Sequence, residues 1–112
     1  MEDNSAGTTT IAPSVLNTIT RLTTLGTPGV SRMSSYLMGG SRHAPRKEFD
    51  GVKVIVKDNK IFLDVYVVIS SGQNVRLAAE NIQNRVLRAI SEMVGMEVAD
   101  INVHVADVDV EA

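Results

Sequence analysis

Two histidines, His43 and His104, and three carboxylates close together, Asp107, Asp109 and Glu111, are the side chains best suited to metal or acid–base chemistry in this 112-residue chain. A metal site needs three or more donors converging on one point. The histidines fall in different parts of the chain, one in a glycine-rich stretch and one in an alternating run. The carboxylates share one parity, so an extended chain would space them in a row ~7 Å apart instead of closing them around an ion. They read as a solvated acidic tail. His104 reads as a hydrogen-bonded surface residue on the polar parity of a strand. With no cysteine, thiolate zinc sites, disulfides and cysteine nucleophiles are excluded. The sequence contains no G-x-x-x-x-G-K-S/T phosphate loop, no G-x-G-x-x-G, no H-E-x-x-H and no S-x-x-K. The expectation is a protein with no catalytic residues, no metal and no cofactor, hence not an enzyme.

Two features bear on nucleic acid. Gly26-Thr27-Pro28-Gly29 is a literal G-x-x-G, the spacing with which a KH domain clamps a nucleotide backbone between two helices. Here a short strand is expected to follow, Pro28 lacks an amide donor and neither variable position is basic, so the segment reads as a helix-terminating turn. Arg42, Arg46 and Lys47 form a cluster that could contact a polyanion or a partner protein. With aromatics at only 4% and no tryptophan, base stacking has little to work with, so nucleic acid is disfavoured. A small RNA-binding module using the basic 42–60 region is the alternative reading.

The charge is uneven along the chain. Residues 1–60 carry a net +3 and residues 61–112 a net −5, which together give the overall −2. Such asymmetry can face a polyanion, or let opposite ends of two copies meet. Hydrophobic residues at 44% against 21% charged exclude full-length disorder. The longest purely apolar run, Val65 to Ile69, is far short of the ~20 residues that span a bilayer. The acidic start Met1-Glu2-Asp3-Asn4 lacks the pattern of a signal peptide.

The elements that would position these residues follow from periodicity. Residues 1–7 are read as a flexible N-terminus, and 8–11 as a short β-branched strand. Val15, Leu16, Ile19, Leu22 and Leu25 predict a helix over about 13–25, with Pro13 at its first turn or Ser14 as its cap. Gly29 to Met33 is a second short strand. Residues 34–50 form a mobile loop, long enough to be functional or disordered. Val52, Val54 and Val56, then Ile61 through Ile69 on one parity, flank Asp58-Asn59 and predict a β-hairpin. Asn74 caps a helix of about 20 residues ending at Gly95, with Val75, Ala78, Ile82, Val86, Ile90 and Met93 on its apolar face. Ile101, Val103 and Val105 form a last strand, whose phase slips at Ala106-Asp107 and marks either a bulge or the strand's end. A strand–helix–strand unit makes the strands at 60–70 and 100–105 parallel. The fold class is therefore α+β: one domain over 8–110, a mixed sheet of about five strands in β-α-β-β-β-α-β order, both helices on one face.

The segment Gly51 to Val105 resembles the alkaline shock protein family of bacterial envelope stress response. The residues that carry the likeness are Gly51-Val52-Lys53-Val54, Leu63-Asp64-Val65-Tyr66-Val67-Val68, Asn74-Val75, Ile82-Gln83, Arg85-Val86, Ala89-Ile90, Met93 to Val98 and Ile101 to Val105. The opening Ile11-Ala12-Pro13-Ser14-Val15 and the turn Gly26 to Val30 resemble the family's first strand, helix and turn. Ala12, where a polar cap is usual, and the threonine-rich first helix depart from its pattern. The resemblance implies a non-enzymatic cytoplasmic protein that self-associates and can be held at the membrane by a separate anchor protein, without inserting itself. From the residues alone, Phe62, Tyr66 and Val68 point away from the helices and form an apolar group expected to serve as a self-association surface.

Overall fold

The computed structural model describes residues 11–35 and 50–110. Helix α1 spans Pro13–Leu25, strand β1 Val30–Met33, β2 Val52–Lys57, β3 Lys60–Ser70, helix α2 Val75–Met93 and strand β4 Glu97–Asp109. These are the elements of an α+β domain with a mixed sheet. Among the described residues the sheet has four strands. The strand expected at 8–11 lies outside them apart from Ile11, which is not in a strand, and the loop over 34–50 lies largely outside them too.

β3 is the spine of the sheet. The Asp58-Asn59 turn has positive φ at both residues, 52° and 66°, the type I′ geometry that lets two strands twist together. It folds β2 antiparallel onto β3 from Lys57↔Lys60 to Val52↔Val65. β1 is antiparallel to β3 as well, Val30↔Ile69 to Met33↔Val67. β4 runs parallel to β3 along its whole length, Lys60↔Glu97 to Ser70↔Asp109. A strand has only two edges, so β1 and β2 lie end to end on the edge opposite β4. The handover occurs at Tyr66, whose N–H donates to Gly51 O at 2.7 Å and whose carbonyl accepts from Ser34 N at 2.9 Å. β1 and β2 are thus one strand, interrupted where the chain leaves after Ser34 and returns at Gly51.

Ile61, Leu63, Val65, Val67 and Ile69 face the helices and are fully buried against Leu16, Ala78, Ile82, Val86 and Ile90. Each such aliphatic side chain contributes roughly 1.5–3 kcal/mol by leaving water. α2 begins as expected, with Asn74 Oδ1 accepting from Leu77 N at 3.0 Å, and Gly95 follows it at φ +77°. α1 differs from expectation in two respects. Ser14 is not its cap: Pro13 opens the helix after Ala12, whose carbonyl accepts from Val15 N. Its buried stripe is Leu16, Thr20 and Thr24, while Val15, Leu22 and Leu25 stay exposed. Thr24 satisfies its hydroxyl on Thr20 O at 2.7 Å, the i−4 bond that lets threonine sit inside a helix. Gly26 to Gly29 is the helix-terminating turn, followed directly by β1.

β4 keeps its ladder past the phase slip because it bulges. Its pairing with β3 skips one residue between Val98 and Asp100 and another between Val105 and Asp107. Both skips fall on the alanine of a Val-Ala-Asp triplet, Ala99 and Ala106, so the two bulges share a local sequence.

Candidate functional site

The helix-free face of the sheet gathers the polar side chains. β3 contributes Phe62, Asp64, Tyr66 and Val68 to this face. Their neighbours across the ladder are Asp100, Asn102, His104 and Asp107 on β4, and Ile55 and Lys53 on β2. His104 Nε2 lies 2.9 Å from Asp64 Oδ1, and its ring stacks on Tyr66 with centroids 4.4 Å apart at 17°. A carboxylate only accepts, so Nε2 carries the proton of this bond, and the pair fixes the imidazole's orientation. Burial, and after it the negative charge of Asp64, raise the Tyr66 phenol above its ordinary 10.0. His104 is therefore the hydrogen-bonded sheet residue its parity suggested. Among the described residues no group of three His, Cys, Asp or Glu could hold a metal ion.

Further along, the end of β4 reaches across β3 to β1. The Ser31 hydroxyl donates to Asp109 Oδ2, and Arg32 Nη2 lies 3.2 Å from Asp109 Oδ1. The Ser31 hydrogen bond, then that of Arg32, holds the Asp109 carboxyl below its ordinary value against a small opposing effect of desolvation. This clasp needs both irregularities: the bulge at Ala106 that turns Asp109 onto this face, and the register shift between Val30 and Arg32 that brings Ser31 and Arg32 near it.

The apolar group expected on this face is largely closed within one copy. Tyr66 is 8% and Val68 2% exposed, and only Phe62 is half-buried. The physical reason lies in neighbours from distant parts of the chain. His104 stacks on Tyr66, and Arg32 sits opposite Val68 on its way to Asp109. Arg42, Arg46 and Lys47 lie outside the described residues.

What stands open are the sheet's margins. β4 carries Glu97, Asp100, Asp107 and Asp109 with no Lys or Arg, whereas β1 and β2 carry Arg32, Lys53 and Lys57 with no carboxylate. Sequence reasoning recorded the charge asymmetry along the chain but not its placement, because which strands form the edges is decided by pairing. On the other side, Leu22 and Met93, 57% and 72% exposed, flank an open groove of about 510 Å³ between the helices, rimmed by Arg85, Arg88 and Glu92. Arg88 pairs with Glu92 at 3.2 Å within α2. No helix among the described residues is long and apolar enough to cross a membrane.

Over residues 1–110 the sequence matches the alkaline shock protein 23 family, a family of cell envelope-related function. It is 28% identical over 109 residues to an uncharacterized protein, YqhY, of Bacillus subtilis, covering 96% of this chain and 81% of that one. It is 27% identical over 105 residues to an uncharacterized protein of Streptococcus pyogenes, Spy1535, covering 94% of this chain and 81% of that one. Among solved structures, a zinc form of a MamM CTD variant aligns with 88% of this chain and 86% of its own at a TM-score of 0.50. At 13% identity that is a likeness of fold alone.

Proposed function

We propose that this chain, which belongs to the alkaline shock protein 23 family, is a non-catalytic scaffold of the cell envelope stress response that works by self-association and protein–protein contact. The observation that carries this reading is the state of the sheet's edges. β4 offers thirteen residues with no proline, lysine or arginine, paired among the described residues on one side only. Its bulges and carboxylates guard the two ends, and the stretch 101–105 between them is a template for another strand. The polar cluster on the helix-free face supports a structural role: Asp64, His104 and Tyr66 are engaged with one another. The family's cell envelope-related function supports action at the envelope. In this proposal, attachment to the membrane is through a separate anchor protein. Sedimentation velocity of the purified chain at rising concentration, at low and physiological salt, tests the reading. Concentration-dependent assembly that weakens with salt is expected; a species monomeric at every concentration overturns it.

RNA binding is the second reading, favoured by Lys53 and Lys57 standing on β2, a strand that carries no carboxylate. Displaced counterions would make such binding collapse with salt. Titration of labelled single-stranded RNA should give weak affinity that vanishes at physiological salt. Submicromolar affinity there, lost on changing Lys53 and Lys57 to alanine, would place RNA binding first.

A further inference from the structure

We propose that copies of this chain join by antiparallel pairing of two edges that are unpaired among the described residues, that of β4 and that of β2 in a second copy; the proposal rests on the self-association reading above and names its surface. The backbone directions follow from the ladders. The type I′ turn makes Lys57, Ile55 and Lys53 hydrogen-bonded partners of β3, and the bond from Tyr66 N to Gly51 O continues that alternation. The N–H and C=O groups of Val52, Val54 and Val56 therefore point away from the sheet. On β3 it is then Leu63, Val65 and Val67 that bond toward β4. In a slanted parallel ladder the residues directly opposite them, Ile101, Val103 and Val105, point outward. Both outward sets have side chains on the helix-bearing face, so the two edges can pair without turning either sheet over.

Length and charge select a register. Between the bulges at Ala99 and Ala106, β4 keeps six regularly paired residues, 100–105, and β2 is itself six residues long. Full overlap sets Asp100 opposite Lys57, with Ile101 opposite Val56, Val103 opposite Val54 and Val105 opposite Val52. It also covers apolar surface that one copy leaves in water, since Ile55 is 46% and Val56 44% exposed. The chain blunts one end of each edge. Gln83 Nε2 donates to Ile101 O at 3.1 Å, while Asp50 accepts from Val52 N at 3.3 Å and Asn17 donates to Val52 O at 3.5 Å. In the proposed register these caps fall at opposite ends and leave the central pair, Val103 and Val54, uncovered. The carboxylates oppose pairing of β4 with another β4, and the lysines oppose pairing of β2 with another β2. Only the unlike edges match, and each copy has one of each, so the contact is head-to-tail and extends as an open row.

Charge reversal tests the pairing at exposed residues. In sedimentation velocity, Lys57→Glu alone and Asp100→Lys alone should each raise the concentration of half-assembly roughly tenfold. The double variant, with the pair reversed, should return toward wild type. Unchanged circular dichroism melting curves show that each variant is folded. The chain has no cysteine, so Ile55→Cys with Asn102→Cys gives a direct readout. Within one copy these positions are two strand spacings apart and two residues out of register, more than ~10 Å, too far to bridge. Between copies they are opposite, and a ladder of disulfide-linked multimers is expected on oxidation. Assembly that continues unchanged in both single variants, with no ladder, overturns this surface and leaves self-association standing. A wild type that stays monomeric throughout overturns the self-association reading itself. A monomeric wild type whose edge substitutions instead release a different co-purified protein assigns the edges to that partner and also overturns the proposal.

Discussion

The two edges of this sheet solve the same problem by different means. On one side the edge is built from two pieces, β1 and β2, which meet at Tyr66 of β3 and are separated by sixteen residues, 35–50, of sequence. On the other, β4 runs unbroken for thirteen residues but kinks twice, at Ala99 and Ala106. The interrupted edge has one register shift, between Val30 and Arg32, and carries cations. The continuous edge is irregular and carries carboxylates. A long insertion adds little closure entropy, because that entropy grows only with the logarithm of length. Holding the ends of the insertion on one rung instead demands tight local geometry. β4 has no such junction, and its irregularity is spread over two bulges that set which of its side chains face the helices.

The largest effect should come from breaking the junction. Gly51 sits at φ +97°, and a Cβ there would lie 2.8 Å from Met33 Cβ and 3.0 Å from Tyr66 O. Gly51→Ala combines backbone strain with a steric clash and should cost about 2–4 kcal/mol. Gly95→Ala, at φ +77° with no atom within 4 Å, should cost only about 1 kcal/mol. Chemical denaturation of the two variants measures the difference. Equal losses would mean the junction is no tighter than an ordinary helix end.

The contrast between the edges also divides what could be read from the sequence. The hairpin was legible because Asp58-Asn59 lies between two alternating runs, and α2 was legible because its stripe is long and its cap, Asn74, is a good one. Both depend on neighbours in sequence. The union of β1 and β2 was not, since nothing local says that four residues before the insertion and six after it share a partner. In α1, periodicity pointed to Leu22 and Leu25, but the face that meets the core bears Thr20 and Thr24, whose hydroxyls are weighted against burial by any hydrophobicity count. The phase slip in β4 did signal a bulge. Its twin at Ala99 falls where the alternating run begins, although the repeated Val-Ala-Asp triplet could have exposed it. Burial of Tyr66 and Val68 was hidden because His104, Arg32 and Asp109 reach them from far along the chain.

Next in size is the register of the continuous edge. Val103 is half-buried against the helix-side core, while Asn102 is exposed on the other parity. Val103→Asp sets a carboxylate against aliphatic side chains and should lower stability by about 2–3 kcal/mol. Asn102→Asp should change it by about 0.5 kcal/mol or less, as surface substitutions do. Matching shifts in urea midpoint would show that β4 is not held in the parity its bulges impose.

A smaller effect belongs to Tyr66, the residue both halves of the interrupted edge share. Its folded pKa is raised by burial and by Asp64. A raised acid constant means the associated stability is fully present below the unfolded value of 10.0 and is lost as pH rises through the folded value. Melting temperature should therefore fall more steeply above pH 10 in the wild type than in Tyr66→Phe, which has no phenol to ionise. Parallel curves for the two proteins would remove Tyr66 as the source of the alkaline loss.

The smallest effect concerns a contact that ties the two edges directly. Asp109 on β4 accepts from Ser31 and Arg32 on β1, across β3. The carboxyl is exposed, so solvent screens the ion pair and its contribution is modest. Its sign is nonetheless fixed by linkage. A lowered folded pKa means stability that is present above the ordinary value of 3.8 and is lost as pH falls through the folded one. Asp109→Asn should lower the melting temperature slightly at neutral pH, and the gap to wild type should close in strong acid. Salt should narrow the same gap at neutral pH through its Arg32 component. A gap that stays constant from neutral pH into strong acid would mean that Asp109 acts through its shape at the end of β4 and not through its charge. The edges would then be joined by β3 alone.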